Sequence, residues 1–524
     1  MRPGPTTDDP RSNPVSRPAP AAAQAELTPF PHEHEATSVL AALRSPRRLR
    51  TEVLAGLVVA LALIPEAISF SIIAGVDPRV GLFASFTMAV SIAFLGGRPA
   101  MISAATGAIA LVIAPVVRDH GLDHLLATVL LGGMIQIVLA LLGVARLMRF
   151  VPRSVMVGFV NALAILILLA QLPQLVGVPW LVYPLVAVAL GVIVLLPRLS
   201  TVVPAPLVAI VGLTVVTVAA GLAVPTVGDQ GDLPDSLPAL AVPDVPWTLE
   251  TLRIIGPYAL AMALVGLMES LMTAKLVDEV TDTHSSTTRE SWGQGAANVI
   301  TAFFGGMGGC AMIGQTMINV RTSGARTRIS TFLAGLFLLV LVVVLGDVVG
   351  LIPMAALVAV MVMVSVATFD WHSVRPATLR RMPRSETGVM VVTVATVVLT
   401  HNLAIGVVVG VLAASVLFAR RVAHLTRVVE VPGEVPGTKV YAVEGELFFA
   451  SSNDLVTQFD YVGDPERVLV DLSGARVWDA SGVAALDAVT TRYASKGKHA
   501  EVVGLDGHSR DRHERLAGHL TGAH

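Results

Sequence analysis

Leu54-Ala55-Gly56-Leu57-Val58-Val59-Ala60-Leu61-Ala62-Leu63-Ile64-Pro65-Glu66-Ala67-Ile68-Ser69-Phe70 is the stretch on which the reading of this chain turns. It is apolar over the length of a membrane crossing, yet it holds a proline and a glutamate near its middle. Tyr258-Ala259-Leu260-Ala261-Met262-Ala263-Leu264-Val265-Gly266-Leu267-Met268-Glu269-Ser270-Leu271-Met272 places Glu269 in the same setting. An acid at the centre of a spanning helix costs roughly 2.5–3.5 kcal/mol on insertion scales. Acids kept there at that cost mark ion or proton pathways.

Composition agrees. Of 524 residues 54% are hydrophobic and 14% charged, where soluble chains carry about 25% charge. The apolar residues fall in long runs, so the class is an all-α polytopic membrane protein. A net charge of −2 gives no reason to expect nucleic acid. The single cysteine, Cys310, excludes an intrachain disulfide framework. No cofactor or metal is expected, and His32-Glu33-His34-Glu35 is read as solvated tail.

Apolar runs recur at 51–74, 80–96, 103–118, 124–146, 153–176, 180–197, 203–223, 253–277, 287–304, 311–321, 328–351, 353–369, 386–401 and 403–419. That makes about fourteen spans, some too short to cross about 30 Å alone. With that count, the basic clusters Arg44 to Arg50, Arg321 to Arg328, Arg375 to Arg384 and Arg420-Arg421 share one side. The positive-inside rule makes that side the cytoplasm and puts both termini there. Loop 224–250, with Asp229, Asp232, Asp235 and Asp244 and no Lys or Arg, belongs outside. The resulting division is a disordered tail at 1–46, a transmembrane domain at 47–421, a linker at 422–437 and a small cytosolic α/β domain at 438–524. A strand or hairpin is expected at 439–449, strands at 468–472 and 501–505, and a helix at 483–493.

The membrane part echoes itself. Ala60 to Ala67 resembles Ala263 to Ser270, and Ala100-Met101-Ile102-Ser103 resembles Ala311-Met312-Ile313-Gly314. The matches come in the same order, which predicts two repeats of about seven spans, the second inverted because seven is odd. The third and tenth segments read as broken. Gly96-Gly97-Arg98-Pro99 precedes Ser103-Ala104-Ala105-Thr106-Gly107, and Gly305 to Cys310 precedes Ala311-Met312-Ile313-Gly314-Gln315-Thr316. Two helices starting mid-membrane, with free N–H groups and positive dipole ends, make an anion site without lysine or arginine. Close helix packing through small residues is the competing reading of the glycines.

On these residues the chain resembles the SulP anion transporter family, from about Arg50 to about Leu505. The likeness is carried by Ile64-Pro65-Glu66 with Phe70; by Ala263 to Thr273; by Gly293-Gln294-Gly295-Ala296-Ala297-Asn298; by Asn319 to Thr327; and, in the soluble part, by the STAS-like Val470-Asp471-Leu472-Ser473-Gly474 and Trp478-Asp479-Ala480-Ser481-Gly482-Val483. The resemblance implies a fourteen-span, uracil-permease-like fold with core and gate domains and elevator-like movement of the core. It also implies an anion between the third and tenth segments, and a homodimer in the cytoplasmic membrane. Glu66 stands where bacterial members carry a glutamate linked to proton coupling. Glu269 and Thr273 match the acidic and hydroxyl positions of a sodium site in bicarbonate-transporting members, although Glu replaces the shorter Asp there.

The expectation is therefore a secondary active transporter of a small anion of the bicarbonate, sulfate or dicarboxylate class, and not an enzyme. Proton-coupled symport is the first reading. Sodium-coupled bicarbonate symport and a passive anion channel are the alternatives. Glu66 is the proton carrier; Glu269 and Thr273 hold a cation or stabilise the core. The anion is met by Phe70, Ser103, Ala104, Ala105, Thr106, Gly107, Ala311, Met312, Ile313, Gly314, Gln315 and Thr316. Asn161, Gln136 and Gln171 are read as interhelical hydrogen-bonders. Ser481 is a candidate phosphorylation site, its plain alternative being that it or Asp479 caps a helix.

Overall fold

A computed structural model describes residues 37–143, 151–199, 204–423, 426–432 and 437–519. The tail to residue 36 with its His32-Glu33-His34-Glu35 run, linker residues 433–436 and the last five residues lie outside them. Helix α1 (Val39–Arg44) leads into α2 (Pro46–Ala74) and α3 (Pro78–Leu95), and a two-residue strand β1 (Ser103–Ala104) precedes α4 (Gly107–Leu141). Then come α5 (Arg153–Gln171), α6 (Val182–Leu199), α7 (Ala205–Ala219), α8 (Leu249–Thr281) and α9 (Thr287–Phe303). A second short strand, β2 (Cys310–Ala311), precedes α10 (Ile313–Met317), which runs on as a π-helical turn over Ile318–Thr322. The membrane part closes with α11 (Arg328–Val344), α12 (Gly346–Gly350), α13 (Met354–Thr368), α14 (Pro376–Arg381), α15 (Arg384–Thr400) and α16 (Leu403–Ala423).

Among the described residues, six helices are long and apolar enough to cross a membrane: α2, α3, α4, α5 with its 3-10 extension to Leu175, α8 and α16. Several boundaries differ from the sequence expectation. Residues 39–44, assigned to the tail, form α1, with the Ser38 hydroxyl accepting from the Ala41 N–H. The expected third and fourth spans are not separate helices: α4 runs from Gly107 to Leu141 through both, broken at Gly121, whose φ of 81° only glycine adopts freely. Segment 328–351 breaks between α11 and α12 at Leu345.

The helices gather in two groups. In one, α2, α3, α4, α8, α9 and α11 pack on one another; in the other, α5, α6, α7, α13, α15 and α16 do. Small residues allow the close approaches. A Cβ on Gly133 would lie 2.7 Å from the Gly295 carbonyl oxygen, and one on Gly295 2.6 Å from that of Gly133, so α4 and α9 cross backbone to backbone. Charged side chains sit at helix ends, Glu52 and Glu290 among them buried. Glu52 accepts the N–H groups of Arg326, Thr327 and Ser330 at the start of α11. Glu290 accepts those of Gly97 and Arg98. Arg289 and Arg328 donate to the last carbonyls of α3, the arrangement a helix C-terminus favours.

The soluble domain is a four-stranded sheet in the order β3-β4-β5-β6, made of β3 (Arg427–Val431), β4 (Thr438–Leu447), β5 (Arg467–Val477) and β6 (His499–Val503). Strand β3 lies inside the stretch expected to be linker. It pairs antiparallel with β4, placing Val428 opposite Val443, and only that tertiary partner makes five residues a strand. Helices α17 (Ser452–Val456), α18 (Ala480–Ala494) and α19 (Gly507–Leu516) complete the domain; α19 was not foreseen.

The domain's core closes over Asp464, whose side chain is fully buried. Its carboxylate accepts from Lys439 Nζ at 2.7 Å, Tyr493 at 2.5 Å and Tyr441 at 2.9 Å. Burial alone would raise this carboxyl's pKa. The bonds from Lys439, Tyr493 and Tyr441 outweigh burial and hold it below the usual carboxylate range. The same ion pair raises Lys439. A depressed Asp contributes stability above its unfolded pKa of about 4 and loses it as pH falls through the folded value. Asp464→Asn is expected to cost the domain on the order of 2 kcal/mol at neutral pH and to flatten its acid destabilisation. Urea unfolding of a fragment spanning residues 426–519, followed by Trp478 fluorescence at neutral and acid pH, checks both; an unchanged acid slope would count against this account.

Candidate functional site

Strands β1 and β2 pair antiparallel, Ser103 opposite Ala311 and Ala104 opposite Cys310. The Met312 N–H extends the ladder to the Ile102 carbonyl at 2.9 Å. Two unwound segments, far apart in sequence, thus satisfy each other's backbone. The Thr316 hydroxyl accepts from Ile102 N–H at 3.0 Å, and Ser270 from Ala311 N–H at 3.1 Å. Asn298 clamps Gly309 on both sides, its Oδ1 accepting the N–H and its Nδ2 donating to the carbonyl. Beyond the strands, α4 starts under a Thr106 cap that accepts from Ile109 N–H, while α10 starts at Met312 with no side-chain cap.

A cavity of about 500 Å³ opens where these helices begin, between the two helix groups. Glu66, Phe70, Thr106, Gly107, Glu269 and Met312 to Gln315 line it from one group; Phe159, Leu163, Ile193, Val360 and Met363 are among those facing them from the other. Among the described residues that line it there is no Lys, Arg or His. Pro65 lacks the N–H that would bond the Leu61 carbonyl, which frees a polar group on the cavity's α2 wall. The Glu66 carboxylate follows directly and accepts from Gln315 Nε2 at 2.9 Å. On α8, Glu269 Oε2 accepts from the Cys310 thiol at 2.9 Å, and the same sulfur lies 3.1 Å from the Thr106 hydroxyl. Phe70 lies against the start of α4, where a Cβ on Gly107 would fall 2.9 Å from the ring.

Residues 49–183 and 180–393 match the family described as the sulfate permease family, and residues 429–518 match the STAS domain. The chain belongs to the sulfate permease family. It is 54% identical over 469 residues to the putative sulfate transporter YbaR of Bacillus subtilis, covering 90% of this chain and 97% of that protein. To the bicarbonate transporter BicA of a Picosynechococcus strain it is 24% identical over 523 residues, covering 90% and 91%. Among solved structures, the transmembrane domain of a cyanobacterial BicA superposes with a TM-score of 0.60 at 25% identity, covering 71% of this chain and 98% of that one. The murine Solute Carrier 26 family member A9 anion transporter, in its inward-facing state, superposes with a TM-score of 0.78 at 17% identity, covering 98% and 96%, and so shares the fold. The relatives are named as transporters, not as enzymes.

Within this sulfate permease fold the residues singled out in the sequence divide. Glu66, Phe70, Thr106, Gly107, Glu269, Met312, Ile313, Gly314 and Gln315 share the cavity. Ser103, Ala104, Ala105, Ala311 and Thr316 lie behind it. Ser103 accepts from Gln294 at 2.6 Å, Ala105 N–H donates to Ser85, and the others hold the strand pair. The Thr273 hydroxyl donates to the Glu269 backbone carbonyl at 2.8 Å, one turn from the carboxylate. Gln136 bridges helices as expected, accepting from Asn298, whereas Asn161 bonds the turn after α13, donating to Ser373 and accepting from Asp370 N–H. Gln171 is buried beside a smaller cavity at the end of α5. Asp479 is the cap of α18, accepting from Gly482 N–H at 2.9 Å, and Ser481 is a half-buried residue of its first turn. Cys310 is the contact the sequence did not reveal, since its partners lie 41 and 204 positions away.

Gly309 tests the strand pair. A Cβ there would stand 2.1 Å from the Ala104 carbonyl oxygen. Gly309→Ala is expected to part the strands at a cost of about 1–3 kcal/mol, as overpacking does, and to lower uptake. A thermal-shift comparison of the purified protein and vesicle uptake check it; wild-type values in both would refute the close approach.

Proposed function

We propose that this chain is a secondary active transporter of a small anion, with proton symport through Glu66. The observation that carries the reading is that Glu66 and Glu269, from two helices with similar sequences, line one cavity together with the starts of two broken helices. Free amides at those starts favour an anion. The two acids favour a cation or proton partner. With no basic side chain among the described residues that line the cavity, a dianion meets uncompensated repulsion unless protons neutralise the acids. Bicarbonate, or sulfate carried with a proton, fits this chemistry, and relatives are named for both.

The two helix groups are read as core and gate, with the core carrying the cavity across the membrane between about fourteen spans in two inverted repeats. The antiparallel meeting of β1 and β2 supports the inversion, as does the contact of Thr87 with Thr301 at 2.8 Å. A homodimer with both termini in the cytoplasm completes the reading. Sodium symport is the second reading; here Glu269 holds a thiol proton and Thr273 is turned to a backbone carbonyl.

Glu66→Gln keeps the shape and removes the titratable group. In proteoliposomes given separate pH and sodium gradients, the wild type is expected to accumulate labelled sulfate or bicarbonate with an inward proton gradient, and Glu66→Gln to lose that stimulation while still exchanging anion. Proton-driven accumulation surviving in the variant would sink the proposal. Accumulation driven by sodium alone would favour the second reading, and large electrogenic flux with no coupling would favour a channel.

A further inference from the structure

Gln315 raises a question that the anion site alone does not answer. It sits in α10, 2% exposed, with Nε2 donating to Glu66. Its own carbonyl oxygen is buried and has no hydrogen-bond partner among the described residues. A buried amide oxygen without a donor is costly to keep and calls for an explanation, and here the oxygen belongs to the one side-chain amide among the described residues that is bonded to a cavity acid. An amide is two-faced: half a turn of its last torsion exchanges donor and acceptor. A carboxylate only accepts, whereas a carboxylic acid donates as well. The orientation seen here therefore suits the ionised form of Glu66, and the idle oxygen suits the protonated form.

We propose that Gln315 reads the protonation state of Glu66 and passes it to the anion site. Its amide donates to the carboxylate and turns over to accept from the acid. The step balances with one proton: Glu66 gains it, the N–H to carboxylate bond is lost, and an O–H to amide-oxygen bond forms. Nothing is oxidised or reduced. The turn frees Nε2 from Glu66 beside the uncapped start of α10, as the negative charge there disappears. Donors for an anion thus increase when the proton binds, which is the coupling that symport needs. The inference rests on the reading of Glu66 as the proton carrier.

Other charges leave this pair to itself. From α8 the cavity receives Glu269, whose Oε2 is held by the Cys310 thiol. The lining residues of α5, α6, α7 and α13 do not titrate. Of the remaining charges on α2 and the elements packed on it, Glu52 and Arg328 are engaged at helix ends and Arg79 is paired with Asp77 and Asp232; Arg44, Arg47, Arg48, Arg50 and Arg321 are exposed, as are Arg118, Asp119, His120 and Asp123 on α4, where His124 is half-buried; none of these lines the cavity.

The test uses the full chain in proteoliposomes and KM for labelled sulfate and, separately, labelled bicarbonate over a pH series. Proton-linked binding is expected to lower the wild-type KM about tenfold per pH unit on the alkaline side of the Glu66 titration. Gln315→Leu is expected to flatten that slope to less than about threefold, because the variant has no amide to turn. A wild-type slope in Gln315→Leu overturns the inference while leaving Glu66 as carrier. A wild-type slope and intact proton-driven uptake in Glu66→Gln overturn the underlying reading instead. Should Gln315→Leu fail to fold, infrared difference spectra of the wild type with nitrogen-labelled glutamine decide. A side-chain amide band that shifts together with carboxyl protonation, and is absent in Glu66→Gln, supports the turn; protonation without an amide shift overturns it.

Discussion

Backbone that unwinds inside a membrane has no water to satisfy it, and the rest of this structure follows from how that constraint is met. Ser103-Ala104 and Cys310-Ala311 meet as an antiparallel pair, each supplying what the other lacks. The pairing brings the starts of α4 and α10 to one place. It forces small residues wherever two backbones touch, as at Gly309 against Ala104. It also draws in the polar residues of neighbouring helices, Asn298, Ser270, Thr316 and Gln294, each bonded to the unwound segments. The cavity exists because the helices beyond this pair cannot continue through it.

Around the pair the acids sort by partner. Glu52 and Glu290 are buried, yet each accepts backbone N–H groups and serves structure. Glu66 and Glu269 instead face the cavity, each with a single side-chain donor, an amide for one and a thiol for the other. Burial alone therefore does not sort these acids; what distinguishes them is the number and type of groups that hold the carboxylate. In the soluble domain Asp464 is a third case, an acid enclosed by Lys439 and two tyrosines that organises a core rather than a site.

Much of this was legible in the chain. Long apolar runs announce helices because each must satisfy its own backbone, and the glycine-rich interruptions announce where helices break. Glu66 and Glu269 stood out for the same reason: an acid in an apolar run has no local explanation. Other features were hidden because they depend on partners distant in sequence. Five residues, Arg427–Val431, become a strand only beside β4. Ser103 and Thr316, which look like ligands in a broken segment, point away from the cavity because Gln294 and the Ile102 backbone claim them. Thr273 matches a motif position yet bonds its own helix.

The sequence by itself determined the class of protein, the two broken segments and the pair of acids, since hydrophobic run length, glycine and intramembrane charge act locally and leave their mark in the order of residues. Only the tertiary structure decided which polar atom meets which. That Cys310 rather than Thr273 holds the Glu269 carboxylate, and that Gln315 holds Glu66, follows from two strands pairing across more than half of the membrane part. Hydrogen bonds are short and directional, so their partners are fixed by a few ångströms of packing that no local pattern encodes.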